Sequence, residues 1–179
     1  VDGAAASNLA RWTGTAWQPV GGGVTPSFGS FGERMALSAF DDGGGEALYV
    51  GGVSSVSDLP GGTELPVNGV ARWRGQTWSA LGAGLTIDAP PFGEDKYPAA
   101  VAAFAPAVRN GQPVLYAVGG FDRAGGRPAG GIALWNGADW EALAGGDLDH
   151  SFQPSPFGRI AALAVSRDRG VDTLFVGGS

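Results

Sequence analysis

The stretch Gly69-Val70-Ala71-Arg72-Trp73-Arg74-Gly75-Gln76-Thr77-Trp78-Ser79-Ala80-Leu81-Gly82 decides how this chain is read, because its pattern is written three times. The Trp-x-Gly-x-x-Trp core recurs as Trp12-Thr13-Gly14-Thr15-Ala16-Trp17 and as Trp135-Asn136-Gly137-Ala138-Asp139-Trp140. A glycine doublet marks a second fixed point in each copy, at Gly51-Gly52, Gly119-Gly120 and Gly177-Gly178. The period is about 60 residues, and self-similarity on that scale signals units that bury their apolar faces against one another.

Around those fixed points lie short runs of β character. In one unit Arg34 to Phe40 is apolar on both faces, the turn Asp41-Asp42-Gly43-Gly44-Gly45 leads to Ala47 to Gly51, and further runs span Gly69 to Trp73 and Trp78 to Leu81. A strand apolar on both faces is expected to be covered on both. The same order returns at Ala99 to Ala105, Val114 to Val118, Ile132 to Trp135 and Trp140 to Leu143, with Asn110-Gly111 and Asn136-Gly137 as hairpin signals. Two partial units remain: Leu9 to Trp12 with Trp17 to Val20, and Ile160 to Val165 with Thr173 to Val176. The expected fold class is all-β, a β-propeller of four-stranded blades with about three blade equivalents in one domain, 1–179. The repeats fall at about 1–52, 53–120 and 121–179, and one blade is split between the N- and C-terminal strands.

Composition narrows the function classes. Hydrophobic residues make up 44% of the 179 positions, enough for a substantial core, and the 33 glycines and 12 prolines fall between the apolar runs, as turns would place them. No run is long and apolar enough for a membrane span. The net charge is -6, with Lys96 the single lysine, so no basic footprint for nucleic acid exists. The absence of cysteine rules out disulfides and thiolate metal sites. Val1 opens the chain without a signal-peptide pattern, as expected of a processed form or an excised piece.

The order apolar strand, turn, Leu48-Tyr49-Val50-Gly51-Gly52, loop, Ala71-Arg72-Trp73-x-Gly75-x-x-Trp78-x-x-Leu81-Gly82 resembles the kelch blade. The likeness is nearer to a kelch-like family of secreted bacterial repeats and fungal cell-polarity marker ectodomains, whose units read Ala-Arg-Trp-x-Gly-x-x-Trp. It covers essentially the whole chain. The third copy departs at Leu134, where the others carry Arg11 and Arg72, and at Ala144, where they carry Gly21 and Gly82. The middle doublet has one extra residue before it, in Tyr116-Ala117-Val118-Gly119-Gly120, read as a bulge. The resemblance implies a propeller at the cell surface or outside it, bacterial in type, used as an interaction scaffold; it does not imply an enzyme.

All six Trp fall on repeat positions, so packing between units is their expected role, with sugar-stacking platforms as the alternative. Phe31-Gly32, Phe92-Gly93 and Phe157-Gly158 recur on the connectors, as plugs or as ligand contacts. Arg11 and Arg72 are expected to point away from the Trp face and to meet a carboxylate of the neighbouring blade. Asp41 and Asp42 read as solvated turn residues. Asp147-Leu148-Asp149 alone has an alternation suited to Ca²⁺, without EF-hand spacing, so no metal or other cofactor is expected and Ca²⁺ is the weak candidate. His150 is the single histidine, which excludes a two-His metal site within one chain. Two carboxylates on different blades could still converge for glycoside hydrolysis.

The long segments Val53 to Asn68, Leu85 to Pro98, Phe121 to Gly131 and Gly145 to Gly158 are expected to be loops leaving one face. The candidate ligand face comprises Asp88, Phe92, Glu94, Asp95, Asp147, Asp149 and Phe157. Three blades would make too tight a ring, since propellers use about four to eight. The terminal half-units are complementary, so a homo-oligomer through those strands or a longer polypeptide is expected to close it. The reading is a non-catalytic scaffold for protein interaction or self-assembly; a lectin-like propeller is the alternative and a glycan-active enzyme the distant one.

Overall fold

Two strands apolar at nearly every position, Ala47 to Gly51 and Val114 to Val118, need cover on both faces, and they lie inside a five-stranded and a four-stranded antiparallel sheet respectively. The computed structural model describes residues 6–27, 35–87, 97–143, 160–168 and 171–178, and among them every regular element is a β-strand. The chain is all-β, built of several antiparallel sheets.

The first sheet runs β4 (Ala36–Asp41), β5 (Glu46–Ser57), β6 (Leu65–Arg74), β7 (Thr77–Ala80), with β3 (Gly23–Pro26) along the far half of β5. The second runs β10 (Ala100–Arg109), β11 (Gln112–Gly120), β14 (Ile132–Trp135), β15 (Trp140–Ala142). Two hairpins flank them, β1 (Ala10–Trp12) with β2 (Trp17–Pro19), and β16 (Ile160–Asp168) with β17 (Val171–Gly178). A small sheet has the order β13 (Arg127–Pro128), β12 (Arg123–Ala124), β8 (Leu85–Ile87), β9 (Tyr97–Pro98).

The layers stack as β1–β2, first sheet, second sheet, β16–β17, with apolar side chains between each neighbouring pair. Between the two sheets lie Phe40, Tyr49, Val70, Leu81 and Leu85 against Leu115, Ala117, Trp135 and Trp140. Leu9, Val20 and Val24 meet Val50, Ala71 and Trp78 on the first sheet's other face. Val114, Tyr116 and Leu134 meet Leu163, Val165 and Leu174 beyond the second.

The sheets are linked by a repeated crossing. After Val20 and after Leu81 the chain turns through glycine and lays β3 or β8 beside the next part of the fold; Gly23 N–H donates to Val20 O at 3.1 Å and Gly84 N–H to Leu81 O at 3.0 Å. Both glycines are obligatory in physical terms. A Cβ would stand 2.3 Å from Ser7 O at Gly23 and 2.2 Å from Asn68 O at Gly84, and both have positive φ.

Three sequence expectations change here. Val53 to Asn68 is mostly the continuation of β5 and β6 as a long hairpin, and Phe121 to Gly131 holds β12 and β13, so neither is a plain loop. The register break in the second sheet lies on β10, between Val101 and Ala103, while β11 runs unbroken past its extra residue. The insertion instead moves the doublet: Val118 stands opposite Ile132 where Gly51 stands opposite Val70. Gly51 leaves room for the neighbouring sheet, since a Cβ there would lie 2.6 Å from the Val101 Cβ.

Candidate functional site

The three Trp-x-Gly-x-x-Trp hairpins are built alike. Trp12 pairs Trp17, Trp73 pairs Trp78 and Trp135 pairs Trp140 across two strands. Ring centroids lie 5.6, 5.1 and 5.5 Å apart, with planes tilted by 53°, 54° and 51°. Their surroundings differ. Trp140 is wholly buried and Trp135 nearly so, Trp78 is buried beside a half-buried Trp73, and Trp12 and Trp17 are 54% and 49% exposed.

At the opposite end of the stack β17 repeats this contrast. Leu174 and Val176 point toward the second sheet, while Phe175 is 59% and Val171 67% exposed. The Leu-aromatic pattern aligns Phe175 with Tyr49 and Tyr116, both buried. Among the described residues β17 pairs with β16 alone and β1 with β2 alone, whereas β5 and β11 are paired on both edges. Among the described residues the outward edges of β1 and β17 are therefore open, each beside exposed aromatic surface, a combination that favours pairing with another strand.

The densest polar cluster lies within the first sheet. The nearly buried Asp42 carboxylate accepts hydrogen bonds from Tyr49 Oη, Arg72 Nη1 and Arg74 Nη2, each at 2.6 Å, and from Gly44 N–H at 3.1 Å. Burial alone would raise the Asp42 pKa, but hydrogen bonds from Tyr49, Arg74, Arg72 and Gly44 outweigh it and hold the group far below the ordinary carboxylate range. Burial and the bond to Asp42 push the Tyr49 phenol up to about 12. Asp41 Oδ1 closes the turn by accepting from Gly43 N–H and Gly45 N–H, both at 2.8 Å.

Sequence reasoning missed Asp42. The Arg72 partner is a carboxylate of its own sheet, not of a neighbouring one, because Arg72 stands directly opposite Tyr49 and the β4–β5 turn folds down beside both. The usable signal was Arg72-Trp73-Arg74, which in a strand sends two guanidinium groups to one face. The second sheet has Leu134 opposite Tyr116 and an apolar cluster instead. On β1, Arg11 donates from Nη2 to Gln18 Oε1 at 3.1 Å.

The expected ligand-face residues Asp88, Phe92, Glu94, Asp95, Asp147, Asp149 and Phe157 lie outside the described residues, as do Phe31, Gly32, Gly93, Gly158 and His150. The Ca²⁺ candidates Asp147 and Asp149 are in that group. Among the described residues no three His, Asp or Glu side chains gather as a metal site, and no helix is long and apolar enough to cross a membrane. The structural-repeat glycines are described at all three doublets; Gly51, Gly52, Gly119 and Gly120 are buried, and Gly177 and Gly178 are exposed on β17. Comparison with protein-family models, with curated proteins and with solved structures finds no match to this chain.

Proposed function

We propose that this chain is a segment of a kelch-like β-propeller, acting as a non-catalytic extracellular or cell-surface scaffold for protein interaction and self-assembly. Its ring is completed by other copies or by further sequence. The observation that carries this reading is the repeated Trp hairpin: one geometry, buried between the first and second sheets at Trp135 and Trp140 and half exposed at Trp12 and Trp17. Identical hairpins in different surroundings are what a ring segment with open faces presents. Two further features support it: β4-β5-β6-β7 and β10-β11-β14-β15 are each laid side by side in chain order, and the chain passes from the outer strand of the first of these to the next unit, as blades do.

The test is the native mass of the 18.0 kDa chain by light scattering across a dilution series. The expected result is a discrete multiple of the chain mass that dissociates on dilution. A folded monomer at every concentration would count against self-assembly. The half-exposed indoles also favour a carbohydrate-binding propeller as a second reading. Saturable glycan binding that disappears in Trp12→Ala would move the assignment there.

A further inference from the structure

We infer that the β17 edge receives the β1–β2 hairpin of a second copy, in the register that β5 uses for β6. This rests on the self-assembly reading and adds the partner surface and its alignment. The two internal seams define the register. Leu48, Tyr49, Val50 and Gly51 stand opposite Trp73, Arg72, Ala71 and Val70. Leu115, Tyr116, Ala117 and Val118 stand opposite Trp135, Leu134, Ala133 and Ile132. In both, the Leu before the aromatic faces the first Trp of the hairpin. β17 carries the first sheet's pattern without insertion, Leu174-Phe175-Val176-Gly177-Gly178. The docked pairs are therefore Leu174 with Trp12, Phe175 with Arg11, Val176 with Ala10 and Gly177 with Leu9.

The apolar cores fit the same geometry. The core between the two sheets receives Ala36, Phe40, Ala47 and Tyr49 from the inner strands β4 and β5, and Val70, Leu81 and Leu85 from β6 and the crossing into β8. The core between β1–β2 and the first sheet receives the equivalents of the second group alone, Leu9, Val20 and Val24. That is half a core, and it leaves Trp73 half-buried where Trp135 is buried. The missing half corresponds by register to Ala162, Ser166, Thr173 and Phe175, all exposed on the outer face of β16–β17, with Ser166 standing where the first sheet has Phe40. Docking one copy's β1–β2 on another's β17 sets Phe175 against the partner's Trp73 and Trp78, as Tyr49 sits by Trp135 and Trp140. It also brings Trp12 onto the face that carries Leu174, since directly opposed residues share a face.

The chain has no cysteine, so disulfide trapping is unambiguous. Ala10→Cys chains of residues 1–179 are mixed with Val176→Cys chains of the same length under mild oxidation, beside a mixture of Ala10→Cys with Phe175→Cys, which is out of register. Directly opposed strand residues lie within disulfide reach, whereas a one-residue slip points the side chains to opposite faces. The expected result is a covalent pair in the first mixture and little in the second. In parallel Phe175→Ala, at an exposed position that folding does not use, is expected to weaken assembly about tenfold or more while circular dichroism is unchanged. Assembly that proceeds without the in-register link, or that ignores Phe175→Ala, overturns this seam and leaves the scaffold reading standing. A folded monomer at every concentration overturns both.

Discussion

At the scale of single residues, Asp42 ties three elements together. It is reached by Tyr49 from β5, by Arg72 and Arg74 from β6, and it sits on the turn after β4. Asp42→Asn keeps the shape and removes the charge, leaving two guanidinium groups without their anion. The expected cost is about 2–3 kcal/mol, read as a lower urea midpoint at unchanged slope. The pH dependence comes from the directions of the shifts. Asp42 is depressed in the folded state, so its contribution is complete above the ordinary carboxylate range and is lost as pH falls below about 4. Tyr49 is raised, so its contribution is complete below the ordinary phenol value of about 10 and is lost as pH climbs toward about 12. Stability curves should therefore fall at both ends, with a shallower acid limb in Asp42→Asn and a flatter alkaline limb in Tyr49→Phe. Equal limbs in the variants and the parent protein would remove this cluster as the cause.

At the scale of elements, the connections are more demanding than the strands. Gly84 and Gly75 both have positive φ, yet a Cβ on Gly75 meets nothing within 4 Å and one on Gly84 meets Asn68 O at 2.2 Å. Gly75→Ala should cost about 1 kcal/mol from backbone strain alone. Gly84→Ala adds a clash with backbone and should cost about 3 kcal/mol or more, and thermal melts of the two variants separate these effects. This difference also marks the limit of legibility in the sequence. The strands β4 to β7 and β10, β11, β14 and β15 were readable from apolar runs and hairpin residues, because their burial on two faces writes itself into composition. β3, β8, β12 and β13 were not, since two to four residues beside glycine have no period; β3, β8 and β12 are strands through pairing with distant segments, and β13 through its hairpin with β12. The exposed aromatic faces were partly legible: the Trp repeat identified the residues, but its three copies are alike, and burial depends on which neighbour covers each.

At the scale of the whole molecule, the stack is unevenly closed, and its dynamics should reflect that. β5 and β11 are hydrogen-bonded on both edges and covered on both faces, so their amides exchange only when the fold opens widely. β17 has one paired edge among the described residues and an outer face carrying Phe175 and Val171. Its outward amides should exchange with little protection in dilute protein. Self-assembly makes that protection concentration-dependent, because a bound strand supplies the missing partners. The net charge of -6 gives the sign of a second dependence: like-charged copies repel, Arg11 is the single charge among the docked pairs, and added salt screens the repulsion. Hydrogen exchange read by mass spectrometry should find β17 and β1 slowing together as concentration or salt rises, with β5 and β11 unchanged. Protection of β17 that is already complete in the dilute monomer would mean that its edge is covered within one chain. Slowing of β17 without β1 would mean that a different surface covers it.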